Sequence, residues 1–393
     1  MTVHNDSFEI KPRNEQLESV KHFDAMLFSA VLAVTAIGYY FLYVVRQTFS
    51  GSDGLTDGNL SRQLAAIIIG IVAALFLSSV EYRYYKLPSY IGYLVSIFLL
   101  ILTLIMGAGG VSTGNKSWIT LFGVNFQPSE LTKITYIVVC ASFFEKISQK
   151  TAAKLDYIKL IFYAALPVAL VQLQKDTGTV MVFIFIFAAM LFVSGVKYRY
   201  IIMVTAAVVA SLPVLWTFVL RDVQKMRVMI LLNPELDKTN TGFQPNLARS
   251  AIGAGELFGR QADSPSQARY SLVPARHTDF IFTVIAEKAG FVGCVLLILL
   301  FAFILLRGFY IASKARDDYG SYMAAGLTAM IMFHFIENIG MNIGIMPIAG
   351  IPLPFVSYGG TAMIANFVAI GVILSISVTR DDPSPPSRAH ISF

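Results

Sequence analysis

Charge is what this chain has least of. Asp, Glu, Lys and Arg make up 14% of its 393 residues, whereas 56% are hydrophobic. Soluble domains carry roughly 25% charged residues, so a single water-facing globule cannot be built from this composition. Cysteine is scarce too. Cys140 and Cys294 both lie inside apolar runs, without the Cys and His company a metal site needs, which argues against a disulfide and against a metal centre. The first 22 residues lack any apolar h-region and read as a cytoplasmic tail, not a cleaved signal. At the other end, 381–393 is rich in Pro and Ser and reads as a disordered tail.

What is abundant is the long apolar run. Segments of about 20 residues recur along the chain, each sufficient to cross a hydrocarbon core at about 1.5 Å per residue. Ten are expected: Phe23–Val45, Gln63–Val80, Tyr90–Met106, Glu130–Phe144, Ile158–Leu173, Gly178–Ser194, Tyr200–Leu220, Asp279–Leu306, Tyr322–Ile345 and Phe355–Val378. The expected fold is an all-α polytopic membrane protein. A cytoplasmic tail (1–22) precedes seven helices (23–220), a large extracytoplasmic loop (221–278), three further helices (279–380) and a second tail (381–393). Lys and Arg of the short loops are held in the cytoplasm. Sixteen of them, from Lys11 to Arg388, fall on the side of the two termini, against Arg46, Arg62, Lys116 and Lys175 on the other. The net charge of +6 is therefore mostly topology and not a nucleic-acid footprint.

Polar groups in lipid must find partners inside the protein, so their distribution marks the interior faces. They gather at the outer ends of particular runs: Gln127, Glu130 and Lys133; Lys175, Asp176 and Thr177; His277 and Asp279; Asn338 and Asn342; Ser357 and Tyr358. A shared outward-facing polar cavity is expected. Asp279 is the first candidate for chemistry, because a carboxylate at the mouth of a span is costly unless something holds it there. Glu130 and Lys133 share a helix face, either as a structural ion pair or with Lys133 meeting an anionic headgroup that Glu130 orients. Asp176 is either a helix cap or a ligand-binding carboxylate. His334 and Glu337, three apart, are expected to touch within one helix and do not spell a zinc motif. Three prolines between Met346 and Phe355 predict an irregular segment at membrane depth. A re-entrant pore loop, a transporter's broken helix and an enzyme cleft floor all fit it.

Five tracts occur in order: Gln127-Pro128-Ser129-Glu130 with Lys133; Gln174-Lys175-Asp176-Thr177-Gly178-Thr179; Phe243-Gln244 with Ala251-Ile252-Gly253-Ala254-Gly255; His277-Thr278-Asp279-Phe280; and Gly350-Ile351-Pro352-Leu353-Pro354-Phe355-Val356-Ser357-Tyr358-Gly359-Gly360. Together they resemble the SEDS family (shape, elongation, division and sporulation) over about residues 20–380. Asn338-Ile339-Gly340-Met341 and Gly350-Ile351-Pro352 are more similar to the elongation member, RodA, than to the division member, FtsW. The chain departs from the family at Asn115-Lys116-Ser117-Trp118, where many members place Arg before the Trp, and at Phe243-Gln244, where the family has Tyr-Gln.

The resemblance implies a peptidoglycan glycosyltransferase that polymerises lipid II at the outer face of the bacterial plasma membrane during cell-wall elongation. It implies ten spans and a class B penicillin-binding protein as transpeptidase partner. A sugar hydroxyl needs a base, and Asp279 suits that role. The departing pyrophosphate needs positive charge from Lys133, Lys116, a basic residue of the outer loop such as Arg221 or Arg249, or a divalent cation such as magnesium or manganese. Glu130, Asp176, Gln244 and Ser357 complete the expected substrate-binding set, with lipid II and the growing glycan strand as ligands. A lipid II translocator is the reading from another class, as is, more weakly, a scaffold that recruits a transpeptidase; a division or sporulation paralogue is the alternative within the family. A translocator would need polar groups through the full depth of the membrane, whereas these cluster in the outer half.

The topology is directly testable. In a background without Cys140 and Cys294, a cysteine at Gln244 should react with an impermeant maleimide added to intact cells. Cysteines at Ser148 and Ser313 should react only after permeabilisation. External labelling at either would overturn the orientation.

Overall fold

A computed structural model describes residues 23–48, 55–107, 116–121, 124–196, 222–233, 242–260 and 269–379, with isolated positions between 199 and 236. Its helices are α1 (Ala25–Thr48), α2 (Asp57–Ser79), α3 (Lys86–Met106), α4 (Pro128–Ser148), α5 (Lys154–Leu173), α6 (Thr177–Val193), α7 (Asp222–Leu232), α8 (Phe243–Ala254), α9 (Ile281–Ser313), α10 (Asp318–Ile343) and α11 (Gly360–Val378). A small antiparallel hairpin, β1 (Ile119–Leu121) with β2 (Val124–Phe126), joins α3 to α4. Among the described residues, seven helices are long and apolar enough to cross a membrane, and α6 is a shorter apolar one. The expected seventh run, 200–220, falls almost wholly outside the described residues, as do Arg221 and both tails.

Sequence signals account for many of the boundaries. Thr56 caps α2 through the Asn59 N–H, Pro128 opens α4 where no amide hydrogen is needed, and Asp317 caps α10 through the Gly320 N–H. Gly344 closes α10 in the left-handed conformation, at φ 81°. The last helix begins at Gly360, five residues later than expected, because the Pro352-Leu353-Pro354 tract and Phe355 at φ 63° cannot enter a helix. Pro167, in contrast, sits inside α5 without ending it. α4, α10 and α11 are interior helices, and α5 is peripheral.

The eighth run differs most from expectation. Its helix starts at Ile281, leaving Asp279 in the preceding turn, and it is broken at Gly290, at φ 67° and ψ −167°. The break releases groups that an unbroken helix would pair internally. The segment after α8 takes part in replacing them: Phe291 N–H donates to the Glu256 carbonyl (2.8 Å), Val292 N–H to that of Leu257 (3.1 Å), and Arg260 N–H to that of Glu287 (2.8 Å). Gly259, at φ 88°, packs so close to the Lys288 carbonyl that any side chain would collide. Above the break Ile281–Glu287 is buried throughout, whereas the 23-residue stretch below it is the lipid-crossing part.

Close backbone approach assembles the interior, as is usual where lipid removes the hydrophobic drive between helices. Gly371 of α11 faces the Ala74 backbone of α2, and Gly70 of α2 receives the Phe367 ring. Gly38 of α1 meets the proline-rich segment, where an added Cβ would stand 2.5 Å from the Val356 Cα. Gly38→Val should therefore push residues 355–356 away from α1, costing about 1–3 kcal/mol by overpacking. The expected result is a lower unfolding midpoint in detergent together with lost activity. An unchanged midpoint would contradict this packing.

Candidate active site

The turn Ala275–Phe280 carries Asp279 and is bound at three consecutive carbonyls. Tyr358 N–H donates to His277 O (2.8 Å), Ser357 Oγ to Thr278 O (2.6 Å), and both Asn338 Nδ2 (2.9 Å) and Asn342 Nδ2 (3.0 Å) to Asp279 O. Each donor is itself fixed. Ser357 Oγ accepts the Leu353 N–H (2.8 Å), and Asn338 also donates to Ile351 O (2.8 Å). The buried Gln63 amide from α2 donates to Ser357 O (3.2 Å) and accepts from Gly359 N–H (3.1 Å). Beneath the turn, buried Arg276 donates to the Ser271 and Val273 carbonyls, and the Glu287 carboxylate accepts the N–H groups of Arg269 (2.8 Å) and Tyr270 (2.6 Å). Such tightly bound backbone holds a side chain in one place.

The Asp279 carboxylate is half-buried and lies against Gly350, which adopts φ 72°; a Cβ there would be 3.7 Å from Oδ2. Burial pushes the carboxyl up to about 6, opposed by the Arg227 guanidinium and the Thr278 hydroxyl. Arg227, from α7, donates to Ile348 O (2.8 Å), and burial lowers its proton affinity against the pull of Asp279 and Glu337. Arg249 of α8 lies beside Gly344 and shares a narrow cavity with Arg227, Met341, Met346 and Ile348. A base near neutrality facing the Arg227 guanidinium suits proton abstraction beside a developing phosphate anion. Burial also lowers the His277 imidazole, whose ring stands edge-on to Tyr358 at 5.8 Å.

The other expected site residues fall in different places. Lys133 is 1% exposed, and its Nζ bonds Glu130 Oε1 (2.8 Å) and His334 Nε2 (2.9 Å). An ammonium only donates, so that Nε2 is an acceptor. His334 thus partners Lys133 across helices and not Glu337 within its own, contrary to expectation. Asp176 caps α6, accepting Thr179 N–H (3.2 Å) and Thr179 Oγ1 (3.0 Å), with Lys133 among its electrostatic neighbours. Ser357, expected to bind substrate, is 4% exposed and spends its hydroxyl on the clasp just described. Asn338 and Asn342 likewise hold backbone and do not line an open cavity. Gln244 is half-buried on the first turn of α8, and Lys116 is exposed, with its N–H bonded to Gln174 O (3.1 Å). Gln63 and Glu287 were not anticipated, although a lone Gln or Glu in an apolar run was the available signal. Arg227 is one of the basic residues of 221–278 that were expected to meet pyrophosphate. Among the described residues no group of three or more His, Cys, Asp or Glu could hold a metal ion.

Comparison with known proteins agrees with this architecture. The family model described as cell cycle protein, FtsW/RodA/SpoVE, matches residues 24–382. The peptidoglycan glycosyltransferase MrdB of Escherichia coli (strain K12) is 35% identical over 329 residues, covering 84% of this chain and 88% of MrdB. Stage V sporulation protein E of Bacillus subtilis (strain 168) is 33% identical, covering 90% and 96%. Among solved structures, a chain from a peptidoglycan synthase complex that coordinates polymerization and crosslinking has a TM-score of 0.77 at 29% identity, covering 92% of this chain and 99% of that one. The rod shape determining protein RodA of Thermus thermophilus has a TM-score of 0.65 at 27% identity, covering 91% and 98%. With nearly its whole length matched, the chain belongs to the FtsW/RodA/SpoVE family.

Proposed function

We propose that this chain is a peptidoglycan glycosyltransferase that polymerises lipid II at the outer face of the plasma membrane, with Asp279 as general base. Its relatives' activity supports the reaction class, and the observation that carries the residue assignment is the clamped turn at 277–279. In the reaction the acceptor sugar's 4-hydroxyl loses its proton to Asp279 as its oxygen bonds the donor's anomeric carbon. The bond to undecaprenyl pyrophosphate breaks, and one in-line displacement inverts that carbon. A hydroxyl is too weak an acid to attack unaided, which is why the base must be positioned. Arg227, beside Asp279, and Arg249, which shares a cavity with Arg227, are the guanidinium groups that suit the leaving pyrophosphate, since a planar fork matches phosphate oxygens. Lys133 and Glu130 act in this scheme by holding α4 to α10, and a divalent cation remains compatible with the anionic leaving group. The similarity to MrdB and RodA favours a role in elongation, and the synthase complex favours a class B penicillin-binding protein as the cross-linking partner.

Asp279→Asn should abolish lipid II polymerisation by the purified protein. At pH 7 the native carboxylate is held in a site that favours its protonated form, at about 6 against an ordinary 3.8, so ionisation there weakens the fold as pH rises through that window. Removing the charge should leave the unfolding midpoint unchanged or higher. Activity above about a tenth of wild type, ~1.4 kcal/mol of barrier, would sink the assignment. In the wild type, kcat/KM should fall as pH drops through about 6, because the base must be deprotonated. A flat profile from pH 5 to 8 would count against it.

The Lys133 pair makes a separate prediction. Lys133→Met alone strands Glu130 in the interior and should cost about 3–5 kcal/mol, whereas Lys133→Met with Glu130→Gln should recover most of the stability. Recovery of stability and polymerisation together would confirm a positioning role. Stability recovered without activity would instead give Lys133 a direct contact with substrate.

A further inference from the structure

At the end of the bundle opposite Asp279, a cavity of about 270 Å³ opens between the turn before α3, the end of α4 and the start of α10. Its walls are Arg83, Lys86, Glu145, Gln149, Asp317 and Tyr319. The charge count assigns this side to the cytoplasm. Two ion pairs cross it. Arg83 bonds Asp317 through Nε (3.0 Å) and Nη2 (2.9 Å), and Lys86 bonds Glu145 at 2.5 Å.

Those pairs leave binding capacity unused. A guanidinium has five N–H donors and an ammonium three, and each carboxylate has lone pairs to spare. Arg83 and Lys86 have side chains 44% and 43% exposed, so their remaining donors reach an incoming group. Tyr319 supplies an independent observation. It is 2% exposed, and its hydroxyl has no hydrogen-bond partner among the described residues. An orphaned buried hydroxyl costs about 1–3 kcal/mol, a cost that a ligand reaching it from the cavity would recover. Lys86 Nζ stands 5.2 Å above the same ring.

The neighbouring surface narrows the ligand class. From Lys86 onward, Leu87, Ile91, Leu94 and Phe98 recur at helical spacing on α3 and are 62–75% exposed. In a membrane-crossing helix such a stripe faces acyl chains. A headgroup in the cavity would thus sit directly above a track for its own tail. Both charge signs line the cavity, so an anion alone would meet Glu145 and Asp317 as repulsion. A phosphate beside Arg83 and Lys86, joined to an ammonium beside Glu145 and Asp317, satisfies all four.

We propose that this cavity is a binding site for a phospholipid headgroup bearing a primary amine, a phosphoethanolamine. It is independent of the polymerase reading, because no residue of the Asp279 turn takes part.

Native mass spectrometry of the full-length protein in detergent tests it, with phosphatidylethanolamine, phosphatidylglycerol and phosphatidylcholine added in equal amounts. Phosphatidylethanolamine should be retained about fivefold over each of the others at the first bound copy, a difference of ~1 kcal/mol. Phosphatidylcholine has the same charges but no ammonium hydrogens, and phosphatidylglycerol has no ammonium. Lys86→Gln with Glu145→Gln removes one pair without leaving a lone charge and should abolish the preference. Tyr319→Phe removes only an unpartnered oxygen, keeps the fold and should weaken the preference. Equal retention of the amine and choline lipids overturns the proposal, and so does stronger retention of phosphatidylglycerol, which would mark a plain cationic patch. Survival of the preference in the paired variant places the lipid elsewhere. Should that variant fail to fold, an unchanged preference in Tyr319→Phe overturns it alone.

Discussion

Three consecutive carbonyls, those of His277, Thr278 and Asp279, hold the rest of the site together. Unpaired carbonyls in a membrane protein interior cost several kcal/mol each, so the turn is stable only where donors are aimed at it. Those donors come from α10 and from the proline-rich segment. The segment in turn is held by Gln63 of α2 and by the close approach of Gly38 on α1. Four separate parts of the chain therefore meet at one turn. The prolines serve this arrangement, because an irregular backbone presents the Ser357 and Tyr358 donors where a regular helix would have consumed the Tyr358 N–H.

The segment after α8 is attached by a second device of the same kind. Breaking α9 at Gly290 sacrifices helical hydrogen bonds, and the turn and irregular stretch 256–260 replaces them. The loop thereby becomes part of the helix ladder and not an appendage on it. Glu287, immediately above the break, accepts two backbone N–H groups from the chain leading to Asp279. α8, which carries Gln244 and Arg249, and the turn that carries Asp279 are therefore referenced to the same point on α9. That shared anchor fixes α8 and the Asp279 turn relative to α9.

Buried charge is distributed with a purpose that the bundle makes visible. Lys133 bonds Glu130 and His334 in the interior, away from water. Asp279 stands apart from that network: its carboxylate faces the Arg227 guanidinium and the Thr278 hydroxyl, and its backbone carbonyl is held by Asn338 and Asn342. Identical residue types thus fill two different settings.

By itself the sequence determined the membrane class and the motif order, and it made Asp279 the first candidate for the chemistry. Composition and hydropathy act locally, and a carboxylate at the mouth of an apolar run is conspicuous wherever the chain folds. Helix caps such as Asp176 and Asp317 were open to the same local reading. Only the tertiary structure decided that Ser357 is a clasp, that His334 belongs to Lys133, and that Arg227 faces Asp279. The bonds concerned join residues 79 and 201 positions apart, and no sequence period encodes such a distance. The broken α9 was equally hidden, because an apolar run with scattered glycines reads as an unbroken helix until another segment is present to take up its hydrogen bonds.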